Sequence, residues 1–236
     1  MSEAYVVDLG LVEYREAWDL QKRLVERRAA DAIPDVLLLL EHPHVVTLGR
    51  RGTRDDVLDP ALPVVEVERG GEATYHGPGQ LVGYPIVKLG DRLDVKRYVR
   101  DLEEVLIRAS RAFGVAAERD PRQSGVWVAG RKLGSIGVAV HRDVTYHGFA
   151  QNVNTDLSYF AKIRPCGFDG SIMTSMAREL GTPVPMDAFR RATTDAFAGV
   201  RGTRLRPATL PLLAAPPPDG PAPPRSITDR REGARA

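Results

Sequence analysis

The chain has 236 residues, 43% of them hydrophobic and 27% charged, a balance that excludes disordered, collagen-like and repetitive chains. With 33 Lys and Arg against 31 Asp and Glu the net charge is +2, too little for a protein that coats nucleic acid through its phosphates. The longest apolar run, residues 36–40, is far short of the roughly 20 residues that span a bilayer. The amino-terminal MSEAYVVDLG carries no export signal, so the expectation is a cytoplasmic protein with neither membrane nor nucleic acid as partner.

Residues 5–9 and 35–40 are β-rich runs, and between them Tyr14, Ala17, Trp18, Leu24, Val25 and Ala29 recur near a period of 3.6. This pattern predicts a strand, an amphipathic helix and a second strand. Short β-rich runs follow at 64–67 and 81–87. The clearest helix covers residues 94–113, where Val95, Tyr98, Val99, Leu102, Val105, Leu106, Ala109 and Phe113 form one stripe, Asp94 is the N-cap and Gly114 ends it. Strands are expected at 125–128, 133–141 and 144–153, and helices at 171–180 and 186–198. The hairpin-like pair 133–141 and 144–153 argues for a mixed or antiparallel sheet in a single α/β (α+β) domain rather than a doubly wound parallel one. From about Arg206 the chain loses periodicity and holds eight of the eighteen prolines. The division expected is a catalytic domain over 1–205 and a Pro-rich, disordered tail over 206–236, in which only Leu210, Leu212 and Leu213 form an apolar cluster able to dock.

Four segments next to these strands are rich in Gly, His and polar residues. In EHPHVVTLGR, residues 41–50, His42 and His44 flank Pro43, and an extended backbone turns both to one face. They lack a third ligand at usual spacing, so a turn or pocket wall is the better reading, and no metal site is expected. RGGEATYHGPGQLVGY, residues 69–84, has four glycines and a proline in its first eleven positions. That composition reads as a loop of tight turns close to another backbone or a ligand. It is neither a dinucleotide fingerprint nor a phosphate loop. The others are GRKLGSIG, residues 130–137, and HGFAQNVNTDLSYFAKIRPCG, residues 147–167. Cys166 is the one cysteine. It can form no internal disulfide, and is either an inert buried thiol or, in a turn between Pro165 and Gly167, an accessible one. Lysine is scarce, 5 against 28 arginines, so Lys132, directly after Arg131, is either incidental or a position where a titratable amine is required.

These four blocks, in this order, resemble the lipoyl(octanoyl) transferase family, the octanoyl-[acyl-carrier-protein]:protein N-octanoyltransferases, over roughly residues 5–200. The resemblance implies a fold like the catalytic domain of biotin protein ligases and lipoate ligases. It implies transfer of an octanoyl group from octanoyl-acyl carrier protein to a lysine of apo lipoyl domains, in 2-oxoacid dehydrogenase E2 subunits and the glycine cleavage H protein, by a monomer with no cofactor. Cys166 would carry the acyl group as a thioester and Lys132 would lower its pKa. Substrate would lie along Arg69, Gly70, Gly71, Glu72, Ala73, Thr74, Tyr75 and His76, along Ser135, Ile136 and Gly137, and along Gly148, Phe149 and Ala150. The chemistry is consistent: a thiolate forms a thioester of similar energy to the donor's, and a lysine, unlike an arginine, can return the proton. His76 and His147 read equally as substrate contacts and as partners of loop backbone. Tyr75, Leu81, Tyr84 and Phe149 read as core or pocket wall rather than catalytic. An ATP-dependent lipoate ligase, a thioesterase and a silent lipoyl-domain-binding protein are the competing readings; the PCG cysteine and the full RGGEATYHGPGQ loop weigh against the first, the intact Cys166 and Lys132 against the last.

Overall fold

Leucine and β-branched runs too short for helices pair into one large sheet, and the computed structural model describes that sheet and its cover over residues 2–90, 94–121, 123–164 and 170–214. In chain order the elements are β1 (Ser2–Leu11), α1 (Tyr14–Ala29), β2 (Asp35–Glu41), β3 (Val45–Leu48), β4 (Val64–Glu66), β5 (Ala73–His76), β6 (Gln80–Ile86), α2 (Val95–Arg111), β7 (Glu118–Asp120), β8 (Gln123–Val128), β9 (Arg131–His141), β10 (Val144–Asn152), α3 (Met176–Leu180), α4 (Met186–Arg201), β11 (Thr203–Pro207) and α5 (Leu210–Ala214). The large sheet runs β11-β1-β2-β6-β10-β9-β8-β7, and a small one runs β4-β3-β5. β11, β1 and β2 are parallel, and from β2 through β6, β10, β9 and β8 to β7 every pairing is antiparallel. The mixed α/β single-domain architecture expected from the hairpin at 133–153 is the one present. The parallel β1–β2 pair needs a crossover, and α1 supplies it.

Side chains alternate across the large sheet and divide the core in two. On one face Leu37, Leu39, Leu81 and Phe149 pack under α2 and α4, through Leu102, Leu106, Phe189 and Phe197. On the other, Val36, Leu38, Leu40, Val82 and Tyr84 pack against Tyr14, Ala17 and Leu24 of α1. A third cluster joins the small sheet, through Val46, Leu48, Ala73 and Tyr75, to Phe160, Ile163 and Met173. Burying each such large side chain contributes roughly 1.5–3 kcal/mol. Among the described residues no helix is long and apolar enough to cross a membrane.

α2 starts where its cap predicts, with Asp94 Oδ1 accepting the Arg97 N–H at 2.9 Å. It ends at Arg111, and Gly114, at φ 84°, turns the chain after one more loose turn. Several boundaries differ from expectation. The helix expected at 171–180 is a 3-10 turn, Gly170–Ile172, followed by the short α3, because Ser175 caps a new helix by accepting the Arg178 N–H at 3.2 Å. β3, β5, β7 and β11 were not expected; the glycines around 73–76 mask a four-residue strand that is wholly buried. The chain also stays on the domain past residue 205: β11 pairs with β1 as far as Pro207, and Leu213 of α5 is buried beside α1 and the sheet. The rest of the expected tail, 215–236, lies outside the described residues.

Candidate active site

β9 and β10 pair so that two of the glycine-bearing blocks face each other: Ser135 opposite Ala150, Ile136 opposite Phe149, Gly137 opposite Gly148. Over this ladder runs the loop at residues 69–71. The Gly70 N–H donates to Val138 O at 3.0 Å, and a Cβ on Gly137 would stand 2.7 Å from Gly70 O. Such contact between backbones is open only to glycine. Arg69 holds the loop from inside: its Nη2 donates to Thr47 O at 2.7 Å, Thr47 Oγ1 at 2.9 Å and Glu72 O at 2.9 Å, and Nη1 to Gly70 O at 3.0 Å.

Between loop and sheet lies an open cleft, about 480 Å³ when the solvent in its mouth is included. It is lined by Arg69, Gly70, Gly71, Thr74, His76, Lys132, Ser135, Ile136, Gly137, Gly148, Phe149 and Ala150, all expected, and also by Tyr14, Tyr84 and His147. Three expected residues do not line it. Along β5 the side chains alternate, so Thr74 and His76 reach the cleft while Ala73 and Tyr75 enter the third core cluster. The Tyr75 hydroxyl meets His44 Nδ1 at 2.7 Å, and its ring stacks on Tyr159. Glu72 faces Arg51 at 3.5 Å. His42 and His44 also part company: the bend at Pro43 sends His42 to Tyr84 at 2.8 Å and His44 to Tyr75, so they do not share a face.

Lys132, 4% exposed, closes one end of the cleft. Its Nζ donates to Gln123 Oε1 at 2.7 Å and lies 5.5 Å from the centre of the Trp127 ring. Its main chain forms a parallel bridge with Met173, and its carbonyl accepts the Thr174 N–H at 2.9 Å. Cys166 lies outside the described residues, in the segment 165–169. The chain on either side is described: the Arg164 N–H donates to Asp56 O at 2.8 Å, and Met173 and Thr174 stand beside Lys132.

His76 is oriented by a relay with a fixed direction. Asn152 Nδ2 donates to Thr174 O at 3.0 Å, so its Oδ1 accepts from Gln80 Nε2 at 3.0 Å, which also donates to Tyr75 O at 3.1 Å. Gln80 therefore turns its Oε1 to His76 Nδ1 at 2.7 Å. That nitrogen carries the hydrogen, and Nε2 keeps its lone pair. Burial, with His42 and the Arg69 guanidinium nearby, holds His76 well below the usual histidine range. Burial likewise brings His42 down to about 4 and lifts Tyr14 to about 12. At neutral pH these rings are uncharged hydrogen-bonding groups, His76 and Tyr14 in the cleft wall and His42 behind it against Tyr84.

Residues 13–198 match the family model of the lipoyl protein ligase A/B catalytic domain. An octanoyltransferase of Geobacter metallireducens is 50% identical over 199 residues, covering 84% of this chain and 93% of the relative. An octanoyltransferase of Corynebacterium efficiens is 46% identical over 224 residues, covering 90% and 88%. The chain belongs to the octanoyltransferase family. As a member of this acyltransferase family it shares its fold with more distant enzymes. The bi-partite lipoate protein ligase of Thermoplasma acidophilum superposes with a TM-score of 0.70 at 16% identity over 89% of each chain. The biotin protein ligase of Aquifex aeolicus superposes at 0.52 and 11% identity, over 86% of this chain and 70% of the ligase.

Of the wall residues outside the expected set, Tyr84 and His147 had a signal in the sequence, sitting inside or beside the glycine blocks. Tyr14 had none: it is the first residue of an ordinary amphipathic helix, and only the docking of α1 on the sheet brings it to the cleft.

Proposed function

We propose that the chain moves an octanoyl group from octanoyl-acyl carrier protein to the lysine amine of apo lipoyl domains, those of E2 subunits and the H protein, as a cytoplasmic monomer. A thioester on Cys166 is the intermediate. The observation that carries this reading is a buried lysine at the end of a glycine-roofed cleft, in a chain whose relatives are octanoyltransferases.

The Cys166 thiolate attacks the carbonyl of the carrier thioester. The old C–S bond breaks, the new one forms, and the departing pantetheine thiolate takes a proton from the Lys132 ammonium. Lys132, now neutral, accepts a proton from the incoming lysine amine as the C–N bond forms, and Cys166 leaves as thiolate. A free thiol titrates near 8.5, so an adjacent ammonium raises the reactive fraction at pH 7. Support for bringing the two together comes from the flanks: Met173 and Thr174, a few residues after Cys166, pair with Lys132. Backbone N–H groups of the glycine turns are the natural donors to the tetrahedral oxyanion.

The test is transfer from octanoyl-acyl carrier protein to an apo lipoyl domain without ATP, followed by intact mass. Acid-quenched wild type is expected to carry one octanoyl thioester, on Cys166. Cys166→Ala is expected to lose thioester and transfer alike. Lys132→Arg is expected to keep some reactivity toward an alkylating probe and to lose transfer by a factor on the order of 10²–10⁴. Unchanged transfer by Cys166→Ala, or a requirement for ATP, rules the reading out.

A further inference from the structure

Opposite the Lys132 end, the cleft is closed by a histidine that the proposed reaction does not use. His147 is 1% exposed and lines the cleft, yet neither Nδ1 nor Nε2 has a hydrogen-bond partner among the described residues. Glu68 Oε2 stands 3.8 Å from Nε2, beyond hydrogen-bond length. Gln21, whose Oε1 accepts the His147 backbone N–H at 2.7 Å, has its own buried Nε2 without a hydrogen-bond partner among the described residues. The backbone of His147 is left-handed, at φ 55°, a conformation that few residues with side chains adopt. Buried polar atoms left unpaired in a ligand cleft call for a ligand or water that pairs them.

We infer that His147 forms a polar subsite for the far end of the acyl chain, and that the cleft takes acyl groups bearing a hydroxyl at or next to their ω carbon. The inference rests on the proposed acyl transfer. The Lys132 side chain leans along β9 toward Gly134, since its Cε lies 3.1 Å from the Cβ position of Gly125, and that position is 2.5 Å from Gly134 O. Gly134 pairs with Gln151 of β10, and His147 lies four residues back, roughly 13 Å along the strand. An extended eight-carbon chain whose carbonyl sits at Lys132 and whose body crosses Ser135 to Gly137 stops short of His147 by about the length of a hydroxyl and its hydrogen bond, so an ω-hydroxyl closes the gap. Burial keeps that imidazole neutral, so it offers one N–H and one lone pair, the complement of a hydroxyl. Glu68 opposes a terminal carboxylate.

The experiment is a competition between equal amounts of octanoyl- and 8-hydroxyoctanoyl-acyl carrier protein for an apo lipoyl domain, with the two products weighed by mass spectrometry. The product ratio does not depend on how much of a preparation is folded. For wild type the hydroxyacyl product is expected within about fivefold of the octanoyl product, whereas a plain apolar pocket rejects an added hydroxyl by about 10²-fold. A 4-hydroxyoctanoyl donor, whose hydroxyl stops short of His147, is expected to be rejected. His147→Asn, which tolerates the left-handed backbone but does not reach as far, is expected to lower the hydroxyacyl share at least tenfold. Rejection of the 8-hydroxy chain by wild type would assign the subsite to water and overturn the proposal. So would an unchanged ratio in the Asn variant, or equal acceptance of the 4-hydroxy chain. Absence of octanoyl product altogether would instead refute the proposed transfer.

Discussion

His76 and His147 form, with Tyr14 and Tyr84, the polar wall of the cleft, His42 stands behind it against the Tyr84 hydroxyl, and all three histidines are buried and held below their ordinary pKa. The consequence for stability has a definite sign. An unfolded histidine titrates near 6.5, so below that pH the unfolded chain binds protons that the folded chain refuses, and stability falls by about 1.4 kcal/mol per pH unit per histidine. For His42 this loss runs from pH 6.5 down to about 4, with His76 and His147 acting in the same direction. Urea unfolding at pH 7.5 and 5.5 is expected to differ by at least the one-histidine amount, about 1.4 kcal/mol, and the His42 ring is expected to remain neutral by NMR at the lower pH. Equal stability at both pH values, or a protonated His42 at 5.5, contradicts the buried-neutral assignment.

At the level of elements, the cleft exists because a loop and a hairpin approach through glycine. Gly137 and Gly199 differ in what a methyl group would meet. On Gly137 of β9 it would press on Gly70 O at 2.7 Å and Arg69 Cδ at 3.3 Å; on Gly199 of α4 the closest atom outside its own helix is Arg108 Nη1 at 3.9 Å. Gly137→Ala is therefore expected to lift the loop at 69–71 off the sheet, lowering stability by about 1–3 kcal/mol and transfer at least tenfold. Gly199→Ala, in a helix interior, is expected to raise stability by about 0.5–1 kcal/mol and leave transfer as it is. Thermal melts and steady-state rates on the two variants check both halves. The elements also show what local pattern can carry. The strong stripe of α2 and its Asp94 cap were readable because every turn repeats the same signal, and the β9–β10 hairpin because two β-rich runs sit either side of a short polar turn. β5 was not, since four residues between glycines hold too few alternations to be told from a loop.

For the whole molecule, the open question of its extent is decided by packing rather than by composition. Proline density places the end of the domain near 205, but Leu213 is 2% exposed among residues of α1 and the sheet, and the Ala208 N–H donates to Val6 O at 2.9 Å. A chain ending at Ala214 is expected to match the 236-residue chain in melting temperature and transfer rate. Leu213→Ala is expected to cost about 2–5 kcal/mol, as for other fully buried leucines. A 236-residue chain markedly more stable than the shortened one would mean that residues 215–236 also pack.

By itself the sequence determined the mixed α/β class, most of the strands and long helices, and the blocks from which the cleft is made. Those features rest on local repetition of apolar residues and on glycine, whose backbone freedom is visible without knowing its neighbours. Only the tertiary structure decided which side of β5 faces the cleft, since a strand's alternation has no sign until one face is buried. It separated His42 from His44 at a bend, brought Tyr14 across from α1, and left both ring nitrogens of His147 without a hydrogen-bond partner among the described residues. Each of these depends on what lies opposite a residue in space, and partners such as Gln21 and His147, 126 positions apart, leave no trace in the pattern around either one.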